Sequence, residues 1–199
     1  LKNIGFDPAK PVALFVTTGG ITPYDELLAF ESLGELQKNI PDIQLIIKLR
    51  RNFFESLHRK IISRSLSGKY AITVNEPLAT IFAVSDFVIS GSSTVLLEAM
   101  VSKKPLILWA LNSYEYTVLR SSLIPFIDAQ AVFFATDVQG LVSSARVLAH
   151  DEGERKALVE KMEKIMHQEY TFDGKASERI AQLLSQSPLT SIIKDDSQE

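Results

Sequence analysis

Apolar residues in this chain fall into two patterns that alternate along its length: short unbroken runs and longer stripes at helical spacing. Residues 12–17, 43–49, 70–74, 87–89, 106–109 and 131–134 are the runs, and each reads as a strand. Between them, residues 24–38 carry apolar side chains at 27, 28, 33 and 36, and residues 53–66 carry them at 53, 54, 57, 61 and 62. Both read as helices, as do 78–84, 94–102 and 138–148. The last third is helical throughout. Leu158, Met162, Ile165 and Met166 form one stripe; Ile180, Leu183 and Leu184 form another, with Asp173 as its expected N-cap.

Strands that are apolar throughout, rather than at every second residue, predict a parallel sheet covered on both faces. Their alternation with helices makes the fold class α/β, a doubly wound parallel sheet of Rossmann-like type with extra helices at its C-terminal end. Residues 1–185 are expected to form that domain, and 186–199 a polar, frayed tail. A ligand of such a sheet lies at the carboxyl ends of the strands, at the point where the strand order reverses.

Composition narrows the function classes. With 46% hydrophobic and 23% charged residues the chain is an ordinary globular protein. A net charge of −3 with dispersed basic residues argues against nucleic acid as the partner. The absence of cysteine excludes disulfides and thiolate metal sites and fits a reducing, cytoplasmic setting. His58, His150 and His167 are scattered without metal-ligand spacing, so neither metal nor cofactor is expected. No apolar run approaches the roughly 18 residues of a membrane span. The opening Leu1-Lys-Asn-Ile-Gly-Phe-Asp-Pro has the character of a linker leading into a domain, which suggests a piece of a longer protein.

The most informative stretch is 85–109: a strand, a Gly/Ser turn, a helix and a second strand. Ser92, Ser93 and Thr94 open the helix, where backbone amides lack intrahelical partners and the helix dipole is positive. That is phosphate chemistry. Glu98 follows in an otherwise apolar helix, which is expected to be largely buried, with Thr94, Glu98 and Ser102 on one arc. A carboxylate beside a phosphate cradle suits the two hydroxyls of a ribose. A second turn, Thr17-Thr18-Gly19-Gly20-Ile21-Thr22-Pro23, follows the first strand. Gly19 and Gly20 permit close approach to a diphosphate, Thr17, Thr18 and Thr22 add hydroxyls, and Pro23 suits the first helical position behind Thr22. This turn alone is better read as a tight strand-to-helix connection; paired with the turn after the fourth strand, at the same sheet edge, it favours a ligand. Lys48, Arg50 and Arg51 close the second strand at that edge and can reach a phosphate. Asn112, Ser113 and Tyr114 read as ordinary loop residues, Asp86 as a strand-start residue and Asp128 as a turn residue.

The segment Asp86-Phe-Val-Ile-Ser-Gly-Ser-Ser-Thr-Val-Leu-Leu-Glu-Ala, followed by Lys104-Pro-Leu-Ile, resembles the donor-binding signature of GT-B glycosyltransferases and the related UDP-N-acetylglucosamine 2-epimerases. Residues 6–19 are similar to the approach into their C-terminal domain, and Asp173-Gly-Lys-Ala-Ser-Glu-Arg-Ile to its closing helix. The resemblance implies a C-terminal half that binds a nucleotide diphosphate sugar, UDP-type first. Ser92, Ser93 and Thr94 would contact phosphate and Glu98 the ribose. Thr18, Gly19, Gly20, Lys48, Arg50 and Gly91 complete the candidate set. One departure is Gly91-Ser-Ser, where some branches have His-Ala-Gly or Gly-Gly.

In that superfamily the catalytic acid or base often comes from an N-terminal acceptor domain. No catalytic residue is therefore assigned, and a missing N-terminal domain or partner subunit, in some systems membrane-bound, is expected. The leading function is donor binding in a glycosyltransferase of polysaccharide or glycoconjugate synthesis. The alternatives are a UDP-sugar epimerase or hydrolase, and a non-catalytic nucleotide-binding module.

Overall fold

Short runs of Val, Ile, Leu and Phe cannot satisfy their backbone alone and cannot leave either face wet, so they pair and are covered. A computed structural model describes residues 4–17, 23–50, 55–171 and 173–186. In it the six runs become β1 (Val12–Val16), β2 (Gln44–Lys48), β3 (Tyr70–Thr73), β4 (Phe87–Ser90), β5 (Leu106–Trp109) and β6 (Phe133–Ala135). They form one sheet in the order β3-β2-β1-β4-β5-β6, with every pairing parallel. Leu14 lies opposite Ile46 and Val88, and Phe15 opposite Ile47 and Ile89. That register sends alternate residues to two separate cores.

One face carries Phe15, Ile47, Ile89 and Trp109 under α1 (Pro23–Asn39), α2 (Glu55–Ser65) and α7 (Val138–His150), which contribute Phe30, Leu33, Ile62, Leu141 and Leu148. Phe15 anchors it with edge contacts to Phe30 and Trp109, ring centroids 6.3 and 6.0 Å away. The other carries Leu14, Val16, Val88 and Leu108 under α3 (Leu78–Val84), α4 (Val95–Val101), α5 (Ser113–Ser122) and α6 (Ile124–Asp128). Met162, Ile165 and Met166 of α8 (Glu152–Glu169) join this second core.

Polar side chains, Gln44 buried and Asp86 half-buried, brace the amino-terminal edge. Gln44 Oε1 accepts the Asp7 amide at 2.7 Å while its Nε2 donates to the Asp7 carbonyl at 2.8 Å. Asp86 Oδ2 accepts the Val12 amide at 2.7 Å, so this strand-start residue ties β4 to the start of β1. Between α1 and α2, buried His58 meets Glu26 Oε2 at 2.5 Å through Nε2.

Three expectations are corrected. The segment after β5 is not loop: Asn112 caps α5, accepting the Glu115 amide at 2.9 Å, Ser113 and Tyr114 are its first residues, and Asp128 ends α6. Short helices with mixed faces leave no clear period, which is why they were not visible. The helix at 94–102 is not largely buried: Leu96, Ala99 and Met100 face the core, but Leu97 and Val101 are 36% and 57% exposed, because α4 is covered by the sheet on one side alone. The chain divides into two compact units, Leu1–Met166 and His167–Glu199. Within the second, Asp173 is not the N-cap of α9 (Ala176–Ser185); Lys175 holds that position, and Asp173 instead accepts the Lys175 amide at 2.9 Å and pairs with Arg179 at 2.6 Å. Among the described residues, no helix is long and apolar enough to cross a membrane.

The helices on the first face sit close because of one glycine. A Cβ built on Gly34 of α1 would stand 2.2 Å from the Ser65 carbonyl oxygen at the end of α2, a backbone atom that cannot swing aside. Gly34→Ala is expected to lower stability by about 1–3 kcal/mol, the usual cost of overpacking. Urea denaturation checks it; an unchanged midpoint would mean that the two helices are not locked at this spacing.

Candidate functional site

A doubly wound sheet opens where its strand order reverses, and here that point lies between β1 and β4. A cleft of about 550 Å³ sits at the carboxyl ends of the strands there. From β1 come Val16 and Thr17, from the end of β2 Lys48, Leu49 and Arg50, and from the end of β3 and the start of α3 Val74 and Leu78. The turn after β4 contributes Ser92, Ser93 and Thr94, with Val95 at the head of α4. The lining thus combines two cations at the end of β2, three hydroxyl residues after β4, Thr17 after β1 and apolar residues from several strand ends.

Thr17 braces the β1–β2 side. Its amide donates to the Lys48 carbonyl at 3.1 Å, its hydroxyl donates to the same carbonyl at 3.3 Å, and the hydroxyl accepts the Arg50 amide at 2.9 Å. The backbone carrying both cations is therefore held to the end of β1. Lys48 Nζ donates to the Val74 carbonyl, which ties the end of β2 to that of β3. Arg50 is exposed.

On the opposite side, the Ser93 hydroxyl accepts the Val95 amide at 3.3 Å, forming a local turn before α4. The Ser92 amide, expected to be available to a ligand, instead donates to Glu115 Oε1 at 3.4 Å. Glu115 is 1% exposed, and its Oε2 accepts the Leu111 amide at 3.1 Å. Gly91 is required by this arrangement: a Cβ there would lie 2.3 Å from Glu115 Oε1. The amides of Ser93 and Thr94 have no partner among the described residues. Sequence reasoning missed Glu115, although Asn112 followed three residues later by Glu is a recognisable helix-start pattern.

The cleft therefore brings together Lys48, Arg50, Ser92, Ser93 and Thr94 from the expected set, with Gly91 directly behind them. Thr18, Gly19 and Gly20 lie outside the described residues, as does Arg51. Glu98 is exposed, one helical turn beyond Thr94, and does not line the cleft. Among the described residues no group of His, Cys, Asp or Glu is placed to hold a metal ion.

No family model and no curated protein matches the sequence. Solved structures do. The C-terminal CMP-Kdo binding domain of WaaA from Acinetobacter baumannii superposes with a TM-score of 0.61 at 17% identity, over 80% of this chain and 91% of that one. The chain has the fold of that domain. A mutant of the O-GlcNAc transferase of Thermobaculum terrenum gives a TM-score of 0.59 at 17% identity, over 83% of this chain and 34% of that one. A UDP-N-acetylglucosamine 2-epimerase from Listeria monocytogenes gives 0.56 at 18% identity, over 86% and 48%. The Rossmann-like, GT-B-type fold that the sequence resemblance implied is therefore the fold observed, and the chain spans less than half the length of the latter two proteins.

Thr17→Val keeps shape and removes the hydroxyl that joins the β1 and β2 exits. It is expected to lower stability by about 0.5–1.5 kcal/mol, the net value of a neutral hydrogen bond. Amide hydrogen exchange at Arg50 should accelerate in the same variant. Unchanged exchange there would show that the hydroxyl does not hold the strand end.

Proposed function

We propose that this chain is the donor-binding half of a glycosyltransferase, holding a nucleotide diphosphate sugar of UDP type in the cleft between β1 and β4. The observation that carries the reading is the cleft itself: cations from the end of β2 line it together with hydroxyls from the turn after β4, at the switch point of a parallel sheet, and the amides of Ser93 and Thr94 have no partner among the described residues. A diphosphate needs such an arrangement, because charge-assisted hydrogen bonds to it are stronger than neutral ones. Half-buried Val74 and Leu78 offer a base an apolar surface to lie against. A CMP-Kdo binding domain and an O-GlcNAc transferase among the structural neighbours support a nucleotide-sugar ligand; CMP-Kdo carries one phosphate, so the choice of a diphosphate rests on the cations and donors of the cleft itself.

An epimerase neighbour raises the second reading. Epimerases of this kind use carboxylates and histidines around the sugar, and the described lining has neither. Donor binding, with the acceptor and the base supplied by another domain or subunit, is the better account. Proximity of that partner to a membrane would place the chain at a membrane surface.

Isothermal titration with UDP, CDP and their sugars tests the site. Replacing Ser93 and Thr94 together with leucine should abolish binding of UDP while leaving the far-UV spectrum and cooperative unfolding intact. Retained affinity in the double variant would remove the phosphate from this turn. Turnover is tested with the complete gene product: nucleotide binding without transfer would favour a non-catalytic module.

Glu98 is kept as the ribose ligand in this proposal, because it stands four residues after Thr94 on the same side of α4. Hydrogen bonds from ribose hydroxyls to a carboxylate contribute on the order of 1.5–3 kcal/mol. Glu98→Gln should therefore weaken UDP about tenfold and 2′-deoxy-UDP much less. Equal small losses for the two nucleotides would return Glu98 to the role its exposure alone implies, a solvated helix edge.

A further inference from the structure

The strands that leave the sheet beside the cleft are joined by a buried carboxylate that neither turn chemistry nor helix periodicity explains. Glu115 sits in the first turn of α5, beyond β5, yet it reaches the turn that follows β4. One oxygen accepts from Ser92 at 3.4 Å and the other from Leu111 at 3.1 Å, so the two strand exits are clamped by one side chain. Its own backbone is set by Asn112, which accepts the Glu115 amide at 2.9 Å. Gly91 lies so near the carboxylate that any side chain there would collide with it, at 2.3 Å for a Cβ. Burying a carboxylate is costly unless it is well hydrogen-bonded, and for overall stability an apolar residue would serve at least as well. A role in fixing geometry accounts for its presence.

We propose that Glu115 is the positioning residue of the turn at 91–94. By taking up the Ser92 amide it fixes the backbone orientation of that turn, and leaves the amides of Ser93 and Thr94, both on cleft-lining residues, as the ones that meet an anionic ligand. The inference rests on the donor-binding reading of the cleft and adds the group that shapes it. Only an acceptor-only side chain does this. Glutamine must turn its NH₂ toward one of the two backbone donors, and aspartate, one methylene shorter, cannot span both.

The test uses the ¹⁵N-labelled chain, with UDP as the probe in calorimetry and in amide spectra. Glu115→Gln is expected to weaken UDP about tenfold, to shift the Ser92 and Leu111 amide resonances before any ligand is added, and to speed their hydrogen exchange. Gly91→Ala, whose Cβ would press on Oε1, the oxygen that takes up the Ser92 amide, should do the same. The double variant should lose no more than the worse single one, since neighbours acting through one contact are not additive. Glu115→Asp keeps the charge and gives an intermediate loss, and serves if the glutamine variant fails to fold. A role in stability alone predicts lowered melting with unchanged UDP affinity of the folded protein; that result overturns the proposal. Wild-type protein that does not bind UDP sinks the donor reading and the ligand-facing half of this inference with it. In that case Ser92 and Leu111 amides that stay unmoved in Glu115→Gln overturn the other half, the clamp on the turn.

Discussion

A parallel sheet buried on both faces leaves its polar chemistry nowhere to go but its ends. Every strand of this sheet runs the same way, and both faces are closed by helices, so each crossover returns the chain to the same starting edge. The carboxyl edge thereby collects the exits of all six strands. Where successive connections go to opposite sides, between β1 and β4, the loops part and a cleft remains. The residues lining it need no affinity for one another; the sheet brings them together. Lys48 and Ser93 are 45 positions apart and meet because β2, β1 and β4 are neighbours.

Holding that edge in shape is a separate problem, solved by polar side chains bonded to backbone. Thr17 ties the exit of β2 to β1, Lys48 ties it to β3, and Glu115 ties the exit of β4 to that of β5. These are side chain-to-backbone bonds, and each fixes a turn that hydrophobic packing does not reach. The amino-terminal edge is braced in the same way by Gln44 and Asp86. The apolar faces supply the stability, and the braces set the loop geometry around the cleft.

That division explains what could be read in advance. All six strands were legible to within two residues, because a buried parallel strand must be apolar throughout and few other segments are. The helices α1, α3, α7 and α8 were legible from their stripes, and Ser92, Ser93, Thr94, Lys48 and Arg50 were legible as residues of one sheet edge, where they line one cleft. Helices α5 and α6 were not, since ten- and five-residue helices with few core positions leave little period. Glu115 could be placed at a helix start from Asn112, but not its reach to the turn after β4: that depends on Gly91, 24 positions earlier, and proximity across a sheet edge is not written in any local pattern. The reading of α4 as buried failed because an apolar sequence reports preference, whereas burial is decided by what else covers the helix.

On the donor-binding reading, the ionisable groups of the described cleft divide the labour of the reaction. Transfer of a sugar needs a base to take a proton from the acceptor and something to stabilise the diphosphate as it leaves. Lys48 and Arg50 are the ionisable side chains in the described lining, both cationic, and the hydroxyls and free amides opposite them are donors. Cations and oriented donors favour the charge that builds on a departing diphosphate, and the described lining holds neither a carboxylate nor an imidazole. Glu115, behind the cleft, accepts backbone amides through both oxygens and is shut away from solvent, which on the inference above gives it the task of shaping the site. The edge is equipped for the leaving group. Proton abstraction then falls to residues outside this lining, which is why a second domain or subunit facing the cleft belongs to the proposal and is more than an accessory to it.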